Sequence, residues 1–195
     1  ALISPGGAGR NLADGVGIDD EAGGHDIARH LIRLGHRRFG FISGIAGHLS
    51  AEQRFDGLMR ALGEAGLPAD SVQVARGDFT FRSGIEQARR MLERASAPTA
   101  LICANDDMAA GALSSAHALG LDIPGQVSIT GFDDTPVSEI VWPPLSTVHQ
   151  PLKDMGQAAV RALAGRISGA SRDAPWRFSS LPHQVVVRDS TRAAP

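Results

Sequence analysis

The chain has 195 residues, 43% hydrophobic and 21% charged, with a formal net charge of −2 and a pI near 6.4. That is enough apolar material for one large domain or two lobes with a real core, and the mildly acidic balance argues against direct binding to a phosphate backbone. No run of 18 apolar residues marks a membrane span, and the single cysteine, Cys103, excludes an internal disulfide framework and fits a reducing cytosol.

Taken in order, Ala1-Leu2-Ile3 reads as the end of a strand and SPGGAGR as a loop. Gly15–Asp19 is a short apolar run. Asp20–Leu34 carries Ile27, Leu31 and Leu34 at helical spacing and should stop at Gly35. Phe39–Ser43 is an apolar strand bounded by glycines. Ser50-Ala51-Glu52-Gln53 resembles a capping box, with Ser50 as the N-cap of a helix running to about Ala65. Val72–Ala75 is a further strand, and Arg82–Ala95 a helix with Ile85, Ala88, Met91 and Leu92 inward.

Thr99–Ala104 and Val127–Phe132 are strands flanking an Ala-rich helix, Met108–Leu119, which Gly120 should end. Beyond the Pro-rich stretch through Pro143-Pro144, Thr147-Val148 is extended and Leu152–Ile167 is an amphipathic helix. Ser168–Pro175 is a loop and Gln184–Val187 a last β-branched strand. Strands alternating with helices over most of the length predict an α/β, doubly wound architecture with a parallel sheet.

In such a sheet, ligands bind beyond the carboxyl ends of the strands. Two polar clusters fall there: Asn105, Asp106 and Asp107 after one strand, Asp133 and Asp134 after the next. These paired carboxylates lack the base, nucleophile or metal set that a hydrolase would need. None of the seven histidines shows metal-ligand spacing, and there is no nucleophile elbow, P-loop or dinucleotide fingerprint. The expectation is a binding protein without cofactor or metal, not an enzyme.

The segments LGHRRFGFISG (Leu34–Gly44), AEQRFDGLMRALGEAGL (Ala51–Leu67), GDFTFRSG (Gly77–Gly84), ANDDMAAGAL (Ala104–Leu113), PGQVSITGFDD (Pro124–Asp134), PPLSTVHQP (Pro143–Pro151) and VVVRDST (Val185–Thr191) carry a stronger signal together than any one alone. In this order and spacing they resemble the effector-binding core of LacI/GalR-type transcriptional regulators. The resemblance implies a type I periplasmic-binding-protein-like fold, in which two α/β lobes close on a small ligand. It also implies a helix-turn-helix headpiece that binds operator DNA, assembly as a homodimer and a cytoplasmic location.

Neither that headpiece nor the first three βα units of the amino-terminal lobe is found in this sequence, so the expectation is a truncated chain. It would hold a nearly complete carboxy-terminal lobe (residues 19–147) and a remnant of the amino-terminal lobe (1–18). A crossover with one amino-lobe helix (148–178) and a return strand with tail (179–195) would complete it. In that helix Met155, Ala159, Ala162 and Leu163 form an apolar face without most of the sheet it would cover.

By the same resemblance a sugar-like or nucleoside-like effector would lie in the cleft between lobes, and the site residues can be assigned one by one. Asp133 would accept hydrogen bonds from vicinal hydroxyls or ring N–H groups, whereas a turn-forming role is the plainer alternative. Asp134 would brace the loop. Asn105 would read the ligand and leave helix capping to Asp106.

Arg54 would hold hydroxyls or a carboxylate with its planar fork, the alternative being an ion pair with Glu52, Asp56 or Asp133. Ser50 shares that helix start, and capping explains it equally well. Phe79 would be a flat wall for a ring or else core filling. Trp142 is a second wall or a dimer contact, and Gln150 a ligand contact or a linker residue. The dimer face would include the helix Met108–Leu119 and the loop Val137–Trp142. A secreted sugar-binding protein of a transport system shares the fold and is the alternative function.

Overall fold

Phe39–Ser43 is apolar at successive positions, the pattern of a strand covered on both faces. In the computed structural model it is an inner strand of a four-stranded parallel sheet. Residues 2–3, 13–169 and 174–195 are described. The elements in chain order are β1 (Leu2–Ile3), β2 (Gly15–Gly17), α1 (Asp20–Arg33), β3 (Phe39–Ser43), α2 (Leu49–Glu64), β4 (Val72–Arg76), α3 (Phe81–Leu92), β5 (Ala100–Cys103) and α4 (Asp106–Ala118). There follow β6 (Ser128–Thr130), α5 (Val137–Ile140), β7 (Thr147–His149), α6 (Leu152–Ile167), β8 (Phe178–Ser180) and β9 (Gln184–Val186). The loop expected at SPGGAGR lies outside the described residues.

The chain divides into two compact units, one of residues 20–149 with 184–195 and one of 1–19 with 150–183. In the larger unit the sheet order is β4-β3-β5-β6, all parallel, with Phe39 opposite both Val72 and Ala100, and Ala100 opposite Ser128. β7 and β9 form an antiparallel pair beside it, and isolated bridges join Thr130 to Ser146 and Asp133 to His149.

Strand alternation assigns the helices to faces. Phe41 stacks at 5.2 Å on Phe55 of α2, while a side chain at neighbouring Gly40 would meet Met91 of α3. The sheet is therefore doubly wound. Each face carries a helix pair whose backbones approach closely. A Cβ on Gly24 of α1 would overlap the Arg54 backbone of α2, and one on Gly57 would overlap the Glu21 carbonyl. On the other face Gly84 of α3 abuts the Met108 backbone, and Gly111 of α4 abuts the Phe81 carbonyl. Glycine at these four sites sets the helix separation.

Three local expectations are corrected. The helix α2 begins at Leu49 with His48 as N-cap and no side-chain cap bond, so Ser50 is a buried first-turn residue and forms no capping box. The His48 carbonyl already takes the Ala51 and Glu52 amides, which fixes the start two residues early. The Pro-rich stretch that reads as irregular contains the short helix α5; on α4, Ala109, Ala112 and Ala116 are fully buried and Asp107, Ser114, His117 and Ala118 are exposed. Finally, Phe178–Ser180, which straddles the boundary expected between the crossover (148–178) and the return strand (179–195), is a separate strand paired with β2.

In the smaller unit, β8 pairs in parallel with β2, and β2 with β1. Arg166 of α6 grips both carboxylate oxygens of Asp14 at 2.8 and 2.9 Å and lies 4.3 Å over the Trp176 ring. That hydrogen-bonded pairing, working against burial, holds the Asp14 carboxyl down at about 2. Met155 and Ala159 of α6 are buried, whereas Val160 and Leu163 stand 67% and 48% exposed. Cys103 is fully buried in β5, and burial pushes its thiol far above the usual range. Among the described residues no helix is long and apolar enough to cross a membrane, and no cluster of metal-ligating side chains occurs.

Candidate functional site

Because β3, β4, β5 and β6 are parallel, the loops that follow them gather at one edge of the sheet. Those loops hold the only non-glycine residues with positive φ among the described ones: Phe79 (φ 69) after β4, and Asp133 (φ 110) and Asp134 (φ 57) after β6. Such backbone is costly for residues with a Cβ and persists where the surroundings over-determine it, most often at functional sites.

Arg54 organises the cluster from the second turn of α2. Its Nε and Nη2 each lie 2.8 Å from one oxygen of Asp20, and its Nη1 donates to the Ala104 carbonyl at 2.5 Å. The same Nη1 stands 3.5 Å from Asp133 Oδ1, and the guanidinium lies 3.7 Å over the Phe132 ring. The residue is 7% exposed. A cation this buried needs compensation, which Asp20 supplies. Of the ion-pair partners weighed from sequence, Asp133 is the one present. Asp20, 34 positions away, carries no local sequence signal.

Asp133 donates its amide to the Val148 carbonyl at 2.9 Å, and its side chain keeps 25% exposure. Its neighbour is fully engaged. Asp134 accepts from Arg188 Nη2 at 2.8 Å and from Ser138 Oγ at 3.2 Å, and meets His149 Nδ1 at 2.9 Å. Burial works against that charge, yet Arg188 and these hydrogen bonds hold the Asp134 carboxyl below its ordinary range. Asp134 is a brace, as the sequence suggests.

The division of labour at the start of α4 differs from expectation. Asn105, extended at φ −151 and ψ 172, is itself the N-cap, its Oδ1 accepting the Met108 amide at 3.0 Å. Its Nδ2 donates to the Phe79 carbonyl at 3.0 Å. Asp106, assigned the cap from sequence, is instead a buried first-turn residue bonded to Thr135 and Thr147. The cap requires extended backbone immediately before the helix, and only Asn105 has it.

Phe79 is half-buried and meets the His48 ring edge-on at 4.8 Å. It lies over Gly44, where any Cβ would overlap its ring. Ser50 is buried one turn before Arg54 on α2. Arg54, Asn105, Phe79 and Asp133 are thus linked at one sheet edge, Arg54 to Asp133 and Asn105 to Phe79. Trp142 instead stands 76% exposed near Ile140, itself 80% exposed, beyond α5. Gln150 belongs to the smaller unit, where it is 7% exposed and its carbonyl accepts the Leu152 amide.

A family model described as periplasmic binding protein-like domain matches residues 28–191. The HTH-type transcriptional regulator DegA of Bacillus subtilis is 40% identical over 178 residues, which is 91% of this chain and 52% of the relative. A LacI family transcriptional regulator from Enterococcus faecium, solved with bound ribose, superposes with a TM-score of 0.87 at 27% identity, covering 93% of this chain and 66% of that one. A dimeric Lac repressor with an 11-residue C-terminal deletion does so at 0.86 and 30% identity, covering 94% and 65%. The chain spans about half the length of the curated relatives it matches. It belongs to the periplasmic binding protein-like family, among the LacI-type regulators.

Proposed function

We propose that this chain is the effector-sensing domain of a LacI-type transcriptional regulator and that it binds a sugar-like or nucleoside-like ligand at the carboxyl edge of the larger unit's sheet. The observation that supports this reading is the grouping of every described positive-φ side-chain-bearing residue in the two loops of that edge. A carboxylate at Asp133 suits two hydroxyls of a polyol, Arg54 adds a donor, and Phe79 offers a ring face. Asn105 would hold Phe79 and lend its amide to the ligand, with Ser50 lining the same edge.

The function is binding, not catalysis, since the matching relatives are transcriptional regulators. Effector binding would shift operator affinity only by its differential affinity for two states of the regulator, with DNA held by a helix-turn-helix headpiece, in the cytoplasm. We place the homodimer contact at the loop Val137–Trp142, where Ile140 and Trp142 are exposed. A thermal-shift titration of the full chain with ribose and with adenosine tests the ligand class. A ligand that binds only the folded state raises Tm with each increment of its concentration; no shift with either at millimolar levels would remove both from the effector class.

A further inference from the structure

Asn105 and Asp106, adjacent at the start of α4, hold different loops. Asn105 takes the Phe79 carbonyl. Asp106, 1% exposed, takes the acidic loop: its Oδ2 accepts the Thr135 amide at 2.7 Å and the Thr135 hydroxyl at 3.2 Å. Its Oδ1 accepts the Thr147 hydroxyl of β7 at 2.6 Å. One carboxylate therefore ties together the helix start, the loop after β6 and the strand β7. Gly131 makes room for it, because a Cβ there would overlap Asp106 Oδ1.

The loop so tied carries Asp133 and Asp134 in left-handed backbone. The same loop is also held by the Gly131 amide on Ser146, the Asp133 amide on Val148, the residue after Thr147, and the Asp134 carboxylate on Arg188, Ser138 and His149. Asp106 is the tie that joins the Thr135 end of this loop to β7, through Thr147, while Asp133 itself is bonded to β7 at Val148. Nothing in the geometry routes Asp106 itself to a ligand, since both its oxygens are spent on threonines.

We propose that Asp106 is the positioning residue of the candidate site: it holds the loop from Gly131 to Thr135 in the backbone that presents Asp133 at the sheet edge. This rests on the reading of Asp133 as a ligand contact. Burial raises the Asp106 carboxyl to about 6, and its neutral form keeps the latch, one oxygen accepting the Thr135 amide while the other donates to Thr147. An asparagine can do the same through Oδ1 and Nδ2. The latch needs hydrogen-bonding geometry at this position, not charge.

The test is amide hydrogen exchange on the full chain, comparing Asp106→Ala with Asp106→Asn. An ordinary hydrogen bond is worth roughly twofold to tenfold, and the Asp106 carboxyl makes three to Thr135 and Thr147. Asp106→Ala should therefore lower protection at Asp133 and Thr135 by at least about tenfold, leaving Leu101 and Ile102 of β5 essentially unchanged. Asp106→Asn should restore both loop amides, and ribose or adenosine affinity should fall and recover in parallel. Uniform loss across the sheet, unchanged loop amides, or an asparagine variant that behaves like alanine would each overturn the proposal. Should Asp106→Ala fail to fold, Thr147→Val removes the β7 arm alone and should give the same localised pattern; its absence counts against the latch. If the wild-type chain binds neither probe, the ligand reading fails while the exchange result still decides the role of Asp106 in the loop.

Discussion

Arg54 and Asp20 are a buried ion pair in which two guanidinium nitrogens share one carboxylate oxygen at 2.8 Å. The pair sits between the starts of α1 and α2, and the same guanidinium reaches Ala104 and Asp133. Asp20 thereby fixes the cation that borders Asp133. Truncating one partner of such a pair leaves an uncompensated buried charge, at a cost of about 3–5 kcal/mol. Asp20→Ala should lower the unfolding free energy by that order in urea titration, and Asp20→Asn by less. A loss below about 1 kcal/mol would show that Arg54 finds compensation elsewhere.

The glycines at the helix crossings are the second point of leverage. Gly57→Ala places a methyl against the Glu21 carbonyl, and Gly111→Ala places one against the Phe81 carbonyl. Backbone cannot yield as a side-chain tip can, so each should cost about 1–3 kcal/mol through helix displacement, despite alanine's better helix propensity. Gly63→Ala, on α2 where a Cβ meets nothing within 4 Å, is the control and should be neutral or stabilising. Equal effects at Gly57 and Gly63 in chemical denaturation would refute backbone-on-backbone packing.

The fully buried His36 makes stability depend on pH. Its Nε2 lies 3.1 Å from the Arg192 carbonyl, an acceptor only, so Nε2 carries the hydrogen; Nδ1 lies 3.0 Å from the Thr99 hydroxyl. Burial lowers the His36 pKa, partly offset by the Arg192 carbonyl, and burial lowers that of His30 as well. The unfolded chain therefore takes up protons first as pH falls. The stability these neutral imidazoles contribute is present above the ordinary histidine value of about 6.5 and is lost below it. Unfolding free energy should fall from pH 7.5 to pH 5.5, and His36→Gln should flatten the slope while lowering the plateau.

Asp106 acts with the opposite sign. Its carboxyl is raised to about 6, so the folded state holds a proton that the unfolded state has released, and stability declines as pH rises from about 4 to about 6. Asp106→Asn should match or exceed wild-type stability at pH 7.5, the advantage vanishing near pH 4. Comparing the two variants separates the opposing slopes.

The homodimer reading predicts that Trp142→Glu shifts sedimentation from dimer to monomer without changing far-ultraviolet circular dichroism. Ile140 and Trp142 are 80% and 76% exposed, so neither supports the fold from within. A dimer that survives Trp142→Glu with unchanged affinity would move the interface elsewhere.

Apart from the four-residue α5, which lies in a stretch that reads as irregular, the helices and strands of the larger unit are legible because their burial periods are written locally: Ile27 and Leu31 on α1, a continuous apolar run in β3, glycines after α1 and α4. The strand-end placement of Asp133 follows from the same reading. What stayed hidden depends on partners distant in sequence. The Arg54–Asp20 pair spans 34 positions. The Asp106 latch spans 29 and 41. The N-cap of α4 is not legible from residue type, because Asn105, Asp106 and Asp107 are all good caps and backbone conformation decides among them. β8 carries no local strand signal, because Phe178-Ser179-Ser180 holds a single apolar residue and is extended through pairing with β2.

The most direct measurement is calorimetric titration of the full chain and its Asp133→Asn variant with whichever of ribose or adenosine raises Tm. Asparagine tolerates left-handed backbone and keeps the size of the side chain while replacing a carboxylate oxygen with a donor. The account predicts a loss of affinity of about tenfold to hundredfold, with Tm in the absence of ligand close to wild type. An unchanged dissociation constant would remove Asp133 from the site and contradict the reading of the sheet edge as the place where ligand is recognised.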